Sequence, residues 1–171
     1  MPSKDHLRRR YDELLSLQGM TPQQRGYAFE ELVLDLARHE GVPCWAPYRP
    51  KGEQVDGLLQ LDGRYFLIEA KWTEHQTPAS EVYAFHAKVE GKLIGTIGLF
   101  VSLRGFAPDV PDVLRYGKDI NVLLFHGKED LRLALEDAHT LADVIKVKLR
   151  RAAQYGEVYY TFSRYLDEKA A

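Results

Sequence analysis

The sequence predicts an α/β domain: a mixed central β-sheet that contains an antiparallel hairpin and is flanked by helices. Three observations carry this. Asp62-Gly63 separates two apolar runs, and a type I′ hairpin turn needs positive φ at both central residues, which these two types tolerate. After the hairpin, helical and apolar stretches follow in the order helix, strand, helix, strand, the spacing that gives parallel neighbours in a sheet. Ahead of it, Thr21-Pro22-Gln23-Gln24 supplies an N-cap, a proline at the first helical position and a capping-box glutamine, so a helix leads towards the hairpin.

Taken in order, Asp5 to Gln18 read as a helix, with Leu7, Tyr11, Leu14 and Leu15 at helical spacing and Gly19 as the stop. Its Arg8-Arg9-Arg10 run reads as a solvated face that could also touch phosphates. The second helix runs from Pro22 to Glu40, with Gly41 as its C′ residue. Pro43 to Pro50 reads as an edge strand or extended connection, because proline blocks an interior strand. After Trp72 a polar loop leads to a helix from Ala79 to Glu90 that carries Val82, Phe85, His86 and Val89 on one side. Ile94 to Ser102 and Ile120 to Phe125 read as buried strands, separated by a loop from Arg104 to Pro108 and a short helix from Asp109 to Tyr116. His126-Gly127 turns into a helix from Glu129 to Leu135. A further helix spans Leu141 to Gln154, with Lys146, Arg150 and Arg151 as a solvated face or a phosphate rail. The tail from Val158 to Phe162 is aromatic and β-prone, which suits an added edge strand or a partner surface. The expected organisation is one domain over residues 1–171, made of an N-terminal helix (1–20), a core (21–135) and a C-terminal helix with its tail (136–171).

Of the 171 residues, 45% are hydrophobic and 28% charged, which excludes a disordered chain and allows a substantial core. The formal charge of -2 supplies no global cationic field, so a polyanion would have to be gripped by local patches. The one cysteine, Cys44, excludes an internal disulfide and a cysteine-rich zinc site; it reads as a small core hydrophobe in a reducing compartment. The charged N-terminus lacks an apolar signal core, and no apolar run approaches the roughly 20 residues of a membrane span. The expectation is a cytoplasmic protein with no membrane partner.

Counting outward from the turn sets Leu61 opposite Arg64, Leu59 opposite Phe66, Gly57 opposite Ile68, Asp56 opposite Glu69 and Gln54 opposite Lys71. Alternation then puts Val55, Leu59, Leu61, Phe66, Ile68 and Ala70 on one apolar face, and Asp56, Glu69 and Lys71 on the other. Opposed residues have Cβ atoms roughly 4.5–5.5 Å apart, where like charges destabilise a sheet. A hairpin selected for stability alone has no reason to oppose two carboxylates. A divalent cation between them removes the conflict, since Mg²⁺ takes oxygen ligands, usually one or two carboxylates with waters and substrate phosphate. Lys71 projects to the same side, within reach of a phosphate or an attacking water. A Glu-x-Lys triplet by itself reads as an exposed ion pair worth ~0–1 kcal/mol; the independent Asp56 is what sets this one apart. On the second helix, with Phe29 at zero, Glu30 falls at about 100°, between Ala37 at about 80° and Leu34 at about 140°. A carboxylate inside an apolar arc should be paired, protonated or bound to a cation, with Arg25 as one candidate partner. Glu31, Asp35 and Arg38 point to the opposite, solvent side.

Glu30 in the run Gly26 to Leu32, Asp56 in Val55-Asp56-Gly57, and Glu69-Ala70-Lys71 on the next strand resemble the PD-(D/E)XK nuclease superfamily, most closely its Mrr-like restriction endonuclease branch. Gly98 to Ser102, the Gly105-Phe106 loop, and Val122 to Phe125 running into His126-Gly127 fit the same pattern, so the likeness extends from about Thr21 to Leu135. Two departures are noted: the family's proline before the Asp is absent, and no separate DNA-recognition domain is expected within residues 1–171.

The resemblance implies a restriction-endonuclease-like core and a metal-dependent endonuclease that hydrolyses DNA phosphodiester bonds in restriction, antiphage defence or repair. It implies Asp56 and Glu69 as ligands of Mg²⁺, with Mn²⁺ as a substitute, and the Ala70 carbonyl as a further ligand. Lys71 would orient or help deprotonate the attacking water, and Glu30 would hold a water on the ion or a second cation. Arg25, Gln54, His86, Lys88 and Arg104 are the candidate DNA contacts. A small, nearly neutral chain would need a homodimer or a recognition partner protein to grip DNA. Two other readings stand beside this one. One is a Holliday-junction-resolvase-like nuclease, since those small enzymes also carry a helix Glu ahead of Asp and Glu-x-Lys. The other is a non-catalytic nucleic-acid-binding or assembly module on the same fold, against which the intact acid set speaks.

Overall fold

A computed structural model of the chain describes residues 1–16, 19–115 and 119–171. Gln18 and Tyr116, the expected ends of two helices, lie outside the described residues. Helix α1 (Lys4–Ser16) precedes α2 (Pro22–His39), which starts as its sequence requires. Thr21 Oγ1 accepts from the Gln24 N–H at 3.2 Å, and the Gln24 side chain accepts from the Thr21 N–H at 2.9 Å. Gly41, just past the Glu40 cap, takes the left-handed conformation (φ 72°) that ends the helix.

Among the described residues, five strands form one sheet in the order β1-β2-β3-β4-β5: β1 (Cys44–Trp45), β2 (Gly57–Leu61), β3 (Arg64–Lys71), β4 (Ile97–Ser102) and β5 (Val122–His126). β2 pairs antiparallel with both β1 and β3, whereas β3, β4 and β5 run parallel. Helices α3 (Ala79–Glu90) and α4 (Val110–Arg115) lie in the crossovers that parallel pairing demands. After β5 the chain winds through a π-helical turn (Gly127–Leu131) into α5 (Arg132–Ala134), then α6 (Leu141–Tyr155) and α7 (Phe162–Ala170). The mixed sheet with its antiparallel hairpin is the architecture the sequence predicts.

Both sheet faces are buried. Leu59, Phe66, Ile68, Ala70, Leu99, Val101, Leu123 and Phe125 pack with apolar residues of α1, α2 and α6. On the other face Leu67, Phe100, Val122 and Leu124 pack with Val82, Phe85 and Val89 of α3 and Val110 and Leu114 of α4. The face expected to carry only Asp56, Glu69 and Lys71 is thus largely core, and the charged groups sit at its end. Burial of both faces explains why the inner strands read as continuous apolar runs.

Three other expectations change. Asp35 faces α1 instead of solvent: Arg10 Nη1 reaches it at 2.6 Å and Arg38 Nη1 at 2.7 Å. Burial raises the Asp35 pKa, but the two guanidiniums outweigh it and hold the carboxyl below its usual range. With Arg8 bonded to Asp5 at 2.6 Å and Asp137 at 3.2 Å, two arginines of the triple run bind protein carboxylates. The aromatic tail adds no strand to the sheet. Val158 accepts one bond from the Leu124 N–H at 2.9 Å, and Thr161 then caps α7, supported by an Arg164–Glu168 pair at 2.9 Å. A cap and an i,i+4 ion pair outweigh the β-propensity of the tyrosines. Cys44 is half-buried at the sheet edge, with Sγ 3.7 Å from the Leu34 carbonyl. No helix among the described residues is long and apolar enough to cross a membrane.

One close approach sets α2 against the hairpin. A Cβ added at Gly57 would lie 2.7 Å from Leu34 Cδ2, so the absence of a side chain lets the helix, with Glu30 one turn earlier, settle on β2 beside Asp56. Gly57→Ala is expected to cost about 1–3 kcal/mol through overpacking, read as a lower midpoint in urea unfolding. An unchanged midpoint would show that Leu34 yields freely.

Candidate active site

The turn and the inner register are as the sequence requires: Asp62 and Gly63 have φ of 50° and 76°, and Leu61–Arg64, Leu59–Phe66 and Gly57–Ile68 are paired. The ladder ends at Gly57. Asp56 and Gln54 therefore do not pair across the strands with Glu69 and Lys71. Asp56 Oδ2 instead accepts the Ala70 N–H at 3.0 Å, which fixes the carboxylate against the strand that carries Glu69 and Lys71. Val55 exchanges backbone bonds with Tyr48 at 3.0 and 3.1 Å and packs among the α3-side residues, not on the α2 side as alternation required. Leaving the ladder after Gly57 resets the side-chain alternation.

Asp56 is 5% exposed. Its pKa is raised: burial dominates, the Ala70 N–H opposes it, Glu69 adds to it, and Lys88 and Lys71 pull it back. The Glu69 side chain, 13% exposed, is met by two ammonium groups, Lys88 Nζ at 3.0 Å from Oε2 and Lys71 Nζ at 3.6 Å from Oε1. Lys71 also lies 3.9 Å from Glu81 Oε2 on α3. Glu30 is half-buried and its pKa is pushed up to about 7, first by burial, then by Asp56 and Glu69, with Lys71 opposing. The electrostatic neighbours of Glu30 are the other acids and Lys71, and the expected partner Arg25 bonds the Met20 carbonyl at 3.2 Å. The elevated Glu30 value predicts a carboxyl resonance midpoint near 7 in NMR titration of the cation-free protein, displaced downward by Mg²⁺. A midpoint near the ordinary glutamate value would separate Glu30 from the other acids.

Among the described residues, no three His, Cys, Asp or Glu side chains form a group that could hold a metal ion. Glu30, Asp56 and Glu69 are therefore not a preformed cage. Asp56 and Glu69 are hard oxygen donors of the kind that divalent cations take, and such an ion can keep several waters and need only one or two protein acids.

Residues 21–134 match the Mrr catalytic-domain family, described as restriction endonuclease. The chain belongs to this restriction endonuclease family. Its domains are nucleases of the PD-(D/E)XK type and generally use divalent metal ions. No curated protein matches the chain. Solved structures show a partial likeness. A protein of unknown function, AF1548, has 13% identity and a TM-score of 0.49, over 76% of this chain and 78% of its own. The MspJI restriction endonuclease, in complex with a 27-mer oligonucleotide, has 18% identity and a TM-score of 0.47, over 92% of this chain and 39% of its own. A type III CRISPR defence DNA nuclease activated by cyclic oligoadenylate has 20% identity and a TM-score of 0.41, over 77% of this chain and 25% of its own.

In this restriction endonuclease fold, the five candidate DNA contacts have different surroundings. Lys88 is on Glu69, as given above, and also donates to the Gln54 carbonyl at 2.8 Å. The exposed Gln54 side chain sits between Arg49 Nη2 and Asp56 Oδ1, each at 3.4 Å. His86 is 2% exposed, bonds Asn121 Oδ1 through Nδ1, and has Nε2 3.2 Å from Glu90 Oε1. Arg25 and Arg104 are half-buried, and Arg104 Nη2 lies 3.8 Å from Glu74 Oε2. The Nε atoms of both, and Nε1 of Trp72, are buried without a hydrogen-bond partner. Trp72 directly follows Lys71, and its ring meets Phe29 edge-on at 5.4 Å.

The sequence reading names Lys88 of α3 as a DNA contact, but neither its pairing with Glu69 nor the place of Glu81 beside Lys71. Glu81 and Lys88 are seven residues apart, two turns on one helix face, and that face lies over Glu69 and Lys71. The spacing was available as a signal; the packing of α3 against this end of β3 was not.

Proposed function

We propose that this chain is a Mg²⁺-dependent endonuclease that hydrolyses DNA phosphodiester bonds at Asp56, Glu69 and Lys71, in restriction or antiphage defence. The observation that carries the reading is Asp56: a nearly fully buried carboxylate fixed by the Ala70 N–H beside a second acid, within the residues that match the family. A structural carboxylate would be expected to find a cation of its own at that depth.

Asp56, Glu69 and the Ala70 carbonyl would hold the ion, with the Ala70 N–H keeping the Asp56 carboxylate in one orientation. The chemistry such an ion would supply is polarisation of a phosphoryl oxygen and a lower pKa for the attacking water. Lys71 Nζ, on a side chain 39% exposed, faces the open side, where it would orient the water and offset charge growing on the phosphate. Glu30, whose electrostatic neighbours are Asp56, Glu69 and Lys71, would hold a water on the ion. With a chain charge of -2, firm hold on DNA would come from a second copy or a recognition partner.

The test is cleavage of supercoiled plasmid, linear duplex, single strands and a four-way junction with Mg²⁺, Mn²⁺ or EDTA. Cutting should require the cation and be lost in Asp56→Ala, Glu69→Ala and Lys71→Ala. Equal cutting by the three variants would assign it to a contaminant. Preference for the four-way junction would favour the resolvase-like reading instead.

A further inference from the structure

We infer that Lys88 is the resident counter-cation of Glu69, a positioning residue that must leave the carboxylate when a divalent cation enters and that thereby couples cation uptake to nucleic-acid binding. The inference rests on the reading of Asp56 and Glu69 as the cation ligands.

Lys88 Nζ holds two acceptors, Glu69 Oε2 at 3.0 Å and the Gln54 main-chain oxygen at 2.8 Å, so one ammonium ties the strand bearing Glu69 to the segment entering Asp56. Lys71 is a looser partner, 3.6 Å from Glu69 and 3.9 Å from Glu81. It is also the more exposed, at 39% of its side chain against 20% for Lys88. Of the two cations on Glu69, Lys88 is thus the one at hydrogen-bonding distance, and its Nζ occupies an oxygen that an incoming metal would use.

The formal charges give the consequence. Glu30, Asp56, Glu69 and Glu81 face Lys71 and Lys88, so the conflict is local: a dication at Glu69 would put two positive charges against the Lys88 ammonium, which lies 3.0 Å from Oε2. A phosphodiester brings negative charge and fresh acceptors for the ammonium, whose flexible stem lets it exchange one partner for another. With phosphate at hand, Lys88 releases Glu69 to the cation at little cost; without it, the ion must displace an ammonium left with the Gln54 carbonyl and no anion in place of Glu69. Cation and nucleic acid should then strengthen each other's binding, reciprocally.

The experiment is calorimetric titration of the full chain with Mn²⁺, alone and saturated with a short duplex carrying phosphorothioate linkages to slow cutting. The wild-type chain should bind Mn²⁺ at least about tenfold tighter with the duplex, within the usual range of such couplings. Lys88→Met should bind Mn²⁺ several-fold tighter than wild type in the absence of duplex and lose most of the duplex effect. Lys88→Gln, which keeps a donor for the Gln54 carbonyl without the charge, should do the same, and circular dichroism checks both folds. A variant damaged only structurally would bind Mn²⁺ more weakly, so the sign of the change separates the two. Folded variants that bind Mn²⁺ no tighter than wild type, or retain its full duplex effect, overturn the inference and leave the cation site standing. No Mn²⁺ uptake by the wild-type chain in either condition would remove the cation reading itself.

Discussion

Asp56→Asn is expected to raise the melting temperature and to abolish cleavage, lowering the rate by at least about 10²–10³-fold, the loss typical of one preorganised charged or polar group. The two effects have one cause. Burial and the neighbouring Glu69 raise the Asp56 pKa, so folding places its ionised form in an environment that disfavours it. Asparagine keeps an oxygen for the Ala70 N–H, the 3.0 Å bond that orients the side chain, and removes the charge. It also removes an anionic ligand. The sign with pH follows from the direction of the shift. A carboxyl whose folded pKa is raised contributes stability that is present below its unfolded value, about 3.9, and lost as pH rises through the folded one. Wild type and Asp56→Asn should therefore melt together in acid, and the variant should gain on wild type as pH rises towards neutrality. Thermal melts across that range, with plasmid cleavage alongside, make the check. A variant that melts below wild type at neutral pH would show that the Asp56 charge supports the fold, and the argument for a functional carboxylate there would fail.

The parts of this molecule legible in the sequence are those governed by local chemistry. Asp62-Gly63 determines a two-residue turn because few pairs accept two positive φ values, and the register from Leu61 to Gly57 follows from counting. Thr21, Pro22 and Gln24 fix the start of α2 by the bonds that they make within one turn. Counting fails one residue further. The chain leaves the ladder where Asp56 turns its carboxylate to the Ala70 N–H, and pairing with Tyr48 then carries Val55 to the other face. A side chain that takes the place of a backbone partner gives no periodic signal.

Tertiary pairing hides the remainder. Lys88, read as a DNA contact from its place on α3, is found on Glu69 because α3 packs over the end of β3. His86, on the same helix, is turned inward to Asn121. The acid constellation itself was approachable because its members lie close in sequence, 56 and 69 to 71 about one hairpin. Glu30 was approachable because its position within an apolar helical arc is itself anomalous. No local rule identifies the charges that cancel one another across 18 residues of chain, as Asp130 and Lys148 do.

Lys148→Met should lower the melting temperature by about 6–20 °C, the result of about 3–5 kcal/mol for a broken buried ion pair at about 2–4 °C per kcal/mol in a domain of this size. Both side chains are fully buried, with Lys148 Nζ 2.8 Å from Asp130 Oδ2. The ammonium also donates to the carbonyls of Leu124 on β5 and Tyr160 before α7, at 2.9 and 2.8 Å. Asp130 in turn accepts from the His126 N–H at 2.7 Å and the Phe162 N–H at 2.6 Å. One charge pair thus joins the end of β5, the π-helical turn, α6 and the start of α7. Burial lowers the Lys148 pKa, and Asp130 opposes that by its charge and its hydrogen bond. Methionine fills the volume of the lysine stem but leaves Asp130 without its cation. Asp130→Leu with Lys148→Met should recover part of the loss, since apolar replacement of both partners removes the stranded charge. Recovery should remain incomplete, because the N–H groups of His126 and Phe162 then lose their acceptor. Urea unfolding of the two single variants and the double variant measures the coupling directly. Additive losses would mean that the pair is not a unit.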